Sequence, residues 1–510
     1  EWNKVFIGST GVVNASHALL RYGLMPFWSD QGYLIVSDSV MEYFFSGTQI
    51  NNGFINFQDN IIRNSNNRGL LYYNNGPFLA EPTLINNHFE NNTGYAVVFS
   101  SYYEYTLDTS QVYGNTASNN GFNGIQLGGT LGGSSILSNA GIPYVLDLSQ
   151  EGWESIYIPA GGELSIQPGT IIKLNPGNYD YAMGTGIEVA GSLLAQGTES
   201  EPIVFTSIKD DSYGGDTNND GNATVPAVGD WTRHFVHEGA AATFEHVIIQ
   251  YGGGQLSGQS LESIRCDAGE LHLLNSSVIY GGGAGVRAIN GILDIQDSNI
   301  SSNTEHGIDY TISTEAAPII KDSTFNNNSA YAIFLNFNEI TLDASQVYGN
   351  IASGNGVNGI PLTGTMLGNS IIGEGGIPYI LEVDNDHFRS IYVPTGSNLT
   401  INAGAIFKIL GNAYWYDKGS GIEVFGTLNA LGTAEAPIIF TSLYDDSVGG
   451  DTNNDGSSTT PAKADWTSHV IQSGGSATFD HVTISYAGGG IYGRTSESIL
   501  NAGGLLHFHN

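Results

Sequence analysis

The sequence predicts an all-β protein, a right-handed parallel β-helix carrying a tandem super-repeat of about 235 residues. Three observations lead there. Long motifs return at a fixed offset. A shorter period near 22 residues lies inside the long one. Short apolar/polar alternations separated by Asn, Asp, Ser and Gly fill each short period, and no long 3.6-residue stripe appears.

The long repeat is explicit. Thr106 to Asn115 (TLDTSQVYGN) returns at Thr341 to Asn350 (TLDASQVYGN), Gly141–Tyr144 returns at Gly376–Tyr379, and Gly214–Gly221 (GGDTNNDG) returns unchanged at Gly449–Gly456. Trp2, Trp231 and Trp466 align, as do His17, His246 and His481; the first of these spacings is 229 residues rather than 235. The repeat phase therefore predicts one unit over 1–229 ending in an acidic loop at 209–230. A second spans 230–464 with its loop at 444–465, and a third begins at 465–510.

The short period sets the coil. Gly269–Val278 (GELHLLNSSV) aligns with Gly291–Ile300 (GILDIQDSNI), and Ile319–Phe325 repeats the pattern once more. One coil cannot bury its apolar side alone, so coils must stack, placing strands about 4.8 Å apart in parallel sheets. About ten coils fit one unit, an advance of roughly 50 Å. Asn at the corners is expected to form amide ladders. Leucine-rich repeats and propellers would show a leucine framework or a period of roughly 40 residues, and neither is present. Residues 155–208 and 390–443 form a smoother flavour of coil, and 269–337 an Asn-rich one.

Composition agrees. Gly is abundant at 69 residues and Pro scarce at 15, which suits tight corners with left-handed positions. The net charge of −34 comes from 49 acidic against 15 basic residues and repels phosphate backbones, so nucleic acid is not an expected partner. Cys266 is the only cysteine, which excludes an internal disulfide framework. No run of 18 apolar residues occurs, so no membrane span is expected.

Gly186–Ser207 (GIEVAGSLLAQGTESEPIVFTS), followed by Asp210, Asp211 and the Gly214–Gly221 loop, resembles the right-handed parallel β-helix repeat regions of large secreted or cell-surface bacterial proteins. The Asn-rich coils are similar to pectate-lyase-like repeats. The resemblance covers essentially the whole chain. It implies a secreted, surface-associated protein, and leaves activity open, because this scaffold serves lyases, hydrolases, adhesins and inert filaments alike.

The acidic loop is the main candidate site. Asp216, Asn218 and Asp220 stand at positions 1, 3 and 5 of a tight loop with Gly221 at 6, so their oxygens can converge on a hard cation. Asp210, Asp211 and Asp230 are expected to complete a calcium shell, with Asp445, Asp446, Asp451, Asn453, Asp455 and Asp465 doing the same in the second copy. The second half departs from an EF-hand loop, with Ala227 where a late carboxylate would stand. A metal-free loop of Asx turns is the alternative; five clustered carboxylates with one nearby lysine, Lys209 or Lys463, argue against it. Both loops are expected to protrude from the coils.

Other candidates weigh less. His234 and His237 have metal-like spacing, but the second copy has His469 and Gln472. His17, His246 and His481 are each followed five residues later by Tyr22, Tyr251 and Tyr486, which predicts a stacked or turn-bonded His–Tyr pair. A polysaccharide lyase needs a base beside calcium. Arg233 becomes Ser468 and Lys209 becomes Tyr444, while Lys173 and Lys408 recur but lie far from the loops in sequence. An enzyme is therefore not expected. Tyr102-Tyr103-Glu104-Tyr105, and Tyr414-Trp415-Tyr416 with Tyr179 and Tyr181, are candidate glycan-stacking strips. Residues 2–46 and 466–510 share one phase of the repeat, which predicts a longer array or end-to-end self-association. The function expected from all this is a stiff, calcium-braced stalk, filament or adhesin, with a polysaccharide-binding or polysaccharide-degrading protein as the alternative.

Overall fold

Short strands of two to seven residues form where the sequence alternates, because alternate side chains point to opposite faces. The computed structural model describes all residues except 1, 75, 77–78, 148–153, 176–183, 256–260, 384–389, 412–418, 491–496 and 510. Among the described residues every named element is a strand, and every strand-to-strand pairing is parallel. This is the all-β parallel β-helix that the repeats require. Contacts divide the chain into two compact units, 1–283 and 284–510.

In the first unit one sheet runs through Val5–Ile7, Phe27–Asp30, Thr48–Asn51, Leu70–Asn74, Tyr95–Ser101, Phe122–Leu127, Tyr144–Leu146, Ile171–Leu174, Ile203–Ser207, Val247–Gln250 and Ser277–Ile279. Two further walls close each coil, for example Val12–Ser16 with Tyr33–Ser37 and Leu19–Arg21 with Val40–Glu42. In the second unit the corresponding walls include Ile360–Pro361, Tyr379–Leu381, Ile406–Ile409, Ile438–Ser442 and Val482–Ile484 in one sheet.

Register stacks like upon like. Leu164, Leu193, Ala242 and Leu271 are consecutive partners, and so are Ile166, Ala195, Phe244 and Leu273. All eight are buried at 2% exposure or less, which makes these columns the core. The dyad pattern is visible in Phe54–Gln58 and Ile292–Gln296, where exposed and half-buried positions alternate with buried ones.

Corners are made by left-handed residues. His17, Asp38, Asp59 and Asn86 occupy one corner column at φ near +50°, and Tyr22, Tyr43, Asn64, Asn91 and Asn119 another. Asn and Asp tolerate this region because their short side chains bond locally. The recurrent His and Tyr thus sit at separate corners. The expected His–Tyr pair is replaced by tyrosines stacking from coil to coil, Tyr22 on Tyr43 at 5.3 Å and Tyr251 on Tyr280 at 5.5 Å.

The amide ladders are present. Asn60 Nδ2 donates to Asn87 Oδ1 and Asn87 Nδ2 to Asn115 Oδ1; Asn92 and Asn120 form a second ladder, and Asn303, Asn328 and Asn355 a third in the other unit. Each buried amide also donates to a backbone carbonyl, as Asn120 does to Phe89 O, so few polar groups are stranded inside.

Candidate metal centre

The acidic loop protrudes only in part: residues 221–228 stay largely exposed, but the stretch before them is docked. It folds back across the outer face of the sheet. The row that faces outward there, Val145, Lys173 and Thr206, is paired in register and is 0% exposed, as is the inward row Tyr144, Ile172 and Phe205. Only a covering segment buries both faces of a coil wall. Gly214 and Gly215, both left-handed at φ +67° and +71°, turn the chain over Pro143. A Cβ at Gly214 would lie 2.4 Å from Pro143 Cγ, so the approach needs glycine.

Two sets of bonds dock the loop. On one side Asn123 donates its amide to Thr217 O at 2.7 Å and its side chain to Asp216 O at 2.8 Å, 93 residues away. Asn123 Oδ1 also accepts from Asn120, so the amide ladder ends on the loop. On the other side Lys173 Nζ donates to Asp210 O at 2.8 Å and Gly215 O at 2.6 Å. The second copy repeats both: Asn358 binds Thr452 O and Asp451 O, and Lys408 Nζ donates to Gly450 O. Burial pushes the Lys173 ammonium down to about 8, against the pull of Asp210, Asp211 and Asp216; Lys408 is lowered for the same reason.

Within the loop, Asp211, Asp216 and Asp220 each bring one carboxylate oxygen within 4.8 Å of the others, and so do Asp446, Asp451 and Asp455. Asp216 accepts from the amides of Asp220 and Gly221, four and five residues on, which closes the loop around its carboxylate. Asn218 Nδ2 donates to Asp220, while Asn218 Oδ1 and Asp211 Oδ1 are buried atoms with no hydrogen-bond partner. Asn453 Oδ1 and Asp446 Oδ1 stand in the same state. Burial, then the neighbouring Asp216 charge, raises the Asp211 carboxyl above its ordinary range; burial and Asp451 do so at Asp446. Orphaned oxygens beside converging carboxylates fit a hard cation, which satisfies both at once.

Asp210 and Asp230 lie outside the cluster. Asp210 accepts from the Thr206 and Ser212 hydroxyls and from Gln250, anchoring the start of the loop. Asp230 accepts from Ser207 Oγ and Lys209 Nζ, both at 2.7 Å, which ties the loop's end to its beginning. Asp445 and Asp465 repeat these roles with Thr441, Ser447 and Ser442. At Asp445 burial opposes ionisation, but the Ser447 and Thr441 hydroxyls outweigh it and hold the carboxyl below its ordinary range. The cluster read from the sequence thus narrows to Asp211, Asp216, Asn218 and Asp220, and Asp446, Asp451, Asn453 and Asp455.

Lys173 and Lys408 are the residues that sequence separation concealed. They do lie beside the acidic loops, yet wholly buried beneath them. Their recurrence in a chain with 15 basic residues was the available signal.

The two histidines with metal-like spacing are held in separate structural contacts. His234 is 0% exposed, accepts from Ile187 N through Nδ1, and is ringed by Trp231, Phe205 and Phe244. His237 pairs instead with Glu188 at 3.1 Å, so the two histidines are engaged apart. Tyr102 and Tyr103 are exposed at 65% and 60%, whereas Tyr105 is buried. Tyr179, Tyr181 and Tyr414-Trp415-Tyr416 lie outside the described residues. Among the described residues no helix is long and apolar enough to cross a membrane. No family model matches the chain, and no curated protein matches it.

Proposed function

We propose that the protein is an extracellular structural repeat protein, a bacterial-surface stalk, filament or adhesin whose pectate-lyase-like coils are braced by calcium. The observation that carries this reading is the twice-built carboxylate cluster with its orphaned oxygens, clamped onto a coil wall. Calcium suits such an oxygen-only set better than magnesium, which prefers a small octahedral shell and keeps its waters. One ion per loop would join three carboxylates that otherwise repel, and would stiffen the covering segment. A repeat unit that duplicates its whole site suits a load-bearing array, extended by further units or by end-to-end association. The imaged length of native material tests that part: fibres or long rods are expected, and compact particles of one 54.1 kDa chain contradict it.

Binding of a polysaccharide is the second reading, favoured by one observation. Among the described residues, exposed aromatics concentrate in residues 2–113, with Tyr280 and Phe508 the exceptions. Aromatic faces with polar edges are common recognition surfaces. Degradation is disfavoured, because the recurrent lysine beside each loop has no exposed surface from which to act as a base. A glycan array separates binding from a purely mechanical role, and an unsaturated-product assay tests for a lyase.

A further inference from the structure

Each loop is docked by a cation that the chain itself supplies. Lys173 and Lys408 are fully buried, and a buried ammonium is costly unless it is hydrogen-bonded and faces negative charge. Lys173 has both. It takes the carbonyls of Asp210 and Gly215, which flank the turn that brings Asp211 and Asp216 inward. Lys408 takes Gly450 O at the same place in the second copy. On the opposite side Asn123 and Asn358 hold the two carbonyls that follow. Four carbonyls of the first loop, those of Asp210, Gly215, Asp216 and Thr217, are therefore bonded without any bound ion.

We infer that Lys173 and Lys408 are internal latches, positioning residues that hold each acidic loop closed on the coil wall whether or not a cation occupies the carboxylate cluster. This deepens the calcium reading without depending on it for the docking itself. The carboxylates of Asp210, Asp211, Asp216 and Asp220 outnumber the one ammonium, an excess of negative charge that a divalent ion offsets. The loop is thus preformed for an ion instead of being folded by one.

Hydrogen–deuterium exchange of the whole chain in chelator and in millimolar calcium tests this, with each copy as the other's control. The wild-type peptides spanning 213–221 and 448–456 should stay protected in chelator. Lys173→Met should speed exchange of 213–221 at least tenfold in chelator, leave 448–456 unchanged, and recover protection when calcium is added. Lys408→Met should show the mirror image, and Lys173→Gln serves if the methionine variant does not fold. Unprotected wild-type loops in chelator, or protection unaltered by either substitution, would overturn the latch. Loss of protection with no rescue by calcium keeps the latch and removes the calcium reading.

Discussion

His234 shows how burial alone sets a residue's chemistry. With rings on its sides and Ile187 N–H on Nδ1, its imidazole is pushed down to about 3 by burial. The unfolded chain takes up a proton near the ordinary value of about 6.5, and the folded chain does not until about 3. The unfolded state therefore binds more protons between these values, and stability is lost as pH falls through that window. His234→Phe should flatten the dependence by about 1.4 kcal/mol per pH unit between pH 6 and 4. Denaturant titrations of both proteins across that range check it; equal slopes would mean that His234 is protonated in place. Phe57, at 0% exposure in a column with Leu84, supplies the apolar counterpart. Phe57→Ala should cost about 3–5 kcal/mol, since the stacked coils cannot close the cavity.

At the scale of elements, the ladder and the loop form one connected structure. Asn92 bonds Asn120, Asn120 bonds Asn123, and Asn123 bonds the loop. Asn120→Ala removes the middle member and strands the amide of Asn92 and the carbonyl of Phe89. It should cost about 1–3 kcal/mol, read by denaturant unfolding. It should also raise exchange at 213–221, an outcome that distinguishes a connected ladder from isolated caps.

The corner asparagines, the alternating strands and the composition of the loop were all legible in sequence, because each is a local pattern of period 2, 22 or 235. What was not legible is what lies under the loop. Lys173 and Asn123 are 42 and 93 residues from the groups they bind, and only coil stacking brings them there. For the same reason the loop was expected to protrude. Nothing local marks Val145 and Thr206 as an outer row that needs covering. Asp210 and Asp230 also have the right residue type in the right place, and are drawn off by Thr206, Gln250 and Ser207.

At the scale of the molecule, two copies of one loop with matching partners make a quantitative claim possible. Most contacts that shape the first loop have a counterpart 235 residues on; Tyr444 replaces Lys209 and Ser485 replaces Gln250. The compact units divide at residue 283, inside the Asn-rich coils, and each holds one complete loop. If calcium occupies them, the two sites should therefore bind independently and with similar strength. Asp216→Ala should abolish one site and leave the other, and an ion bound only by the folded state should raise the melting temperature in proportion to the sites that remain. Calorimetric titration of the whole chain with calcium is the most direct measurement. Two sites per chain, falling to one in Asp216→Ala and to none when Asp451→Ala is added, is the result expected. No heat with calcium, together with a melting temperature unmoved by chelator, would contradict a calcium-braced β-helix and leave the loops as turns held by Lys173, Lys408 and the asparagine ladders alone.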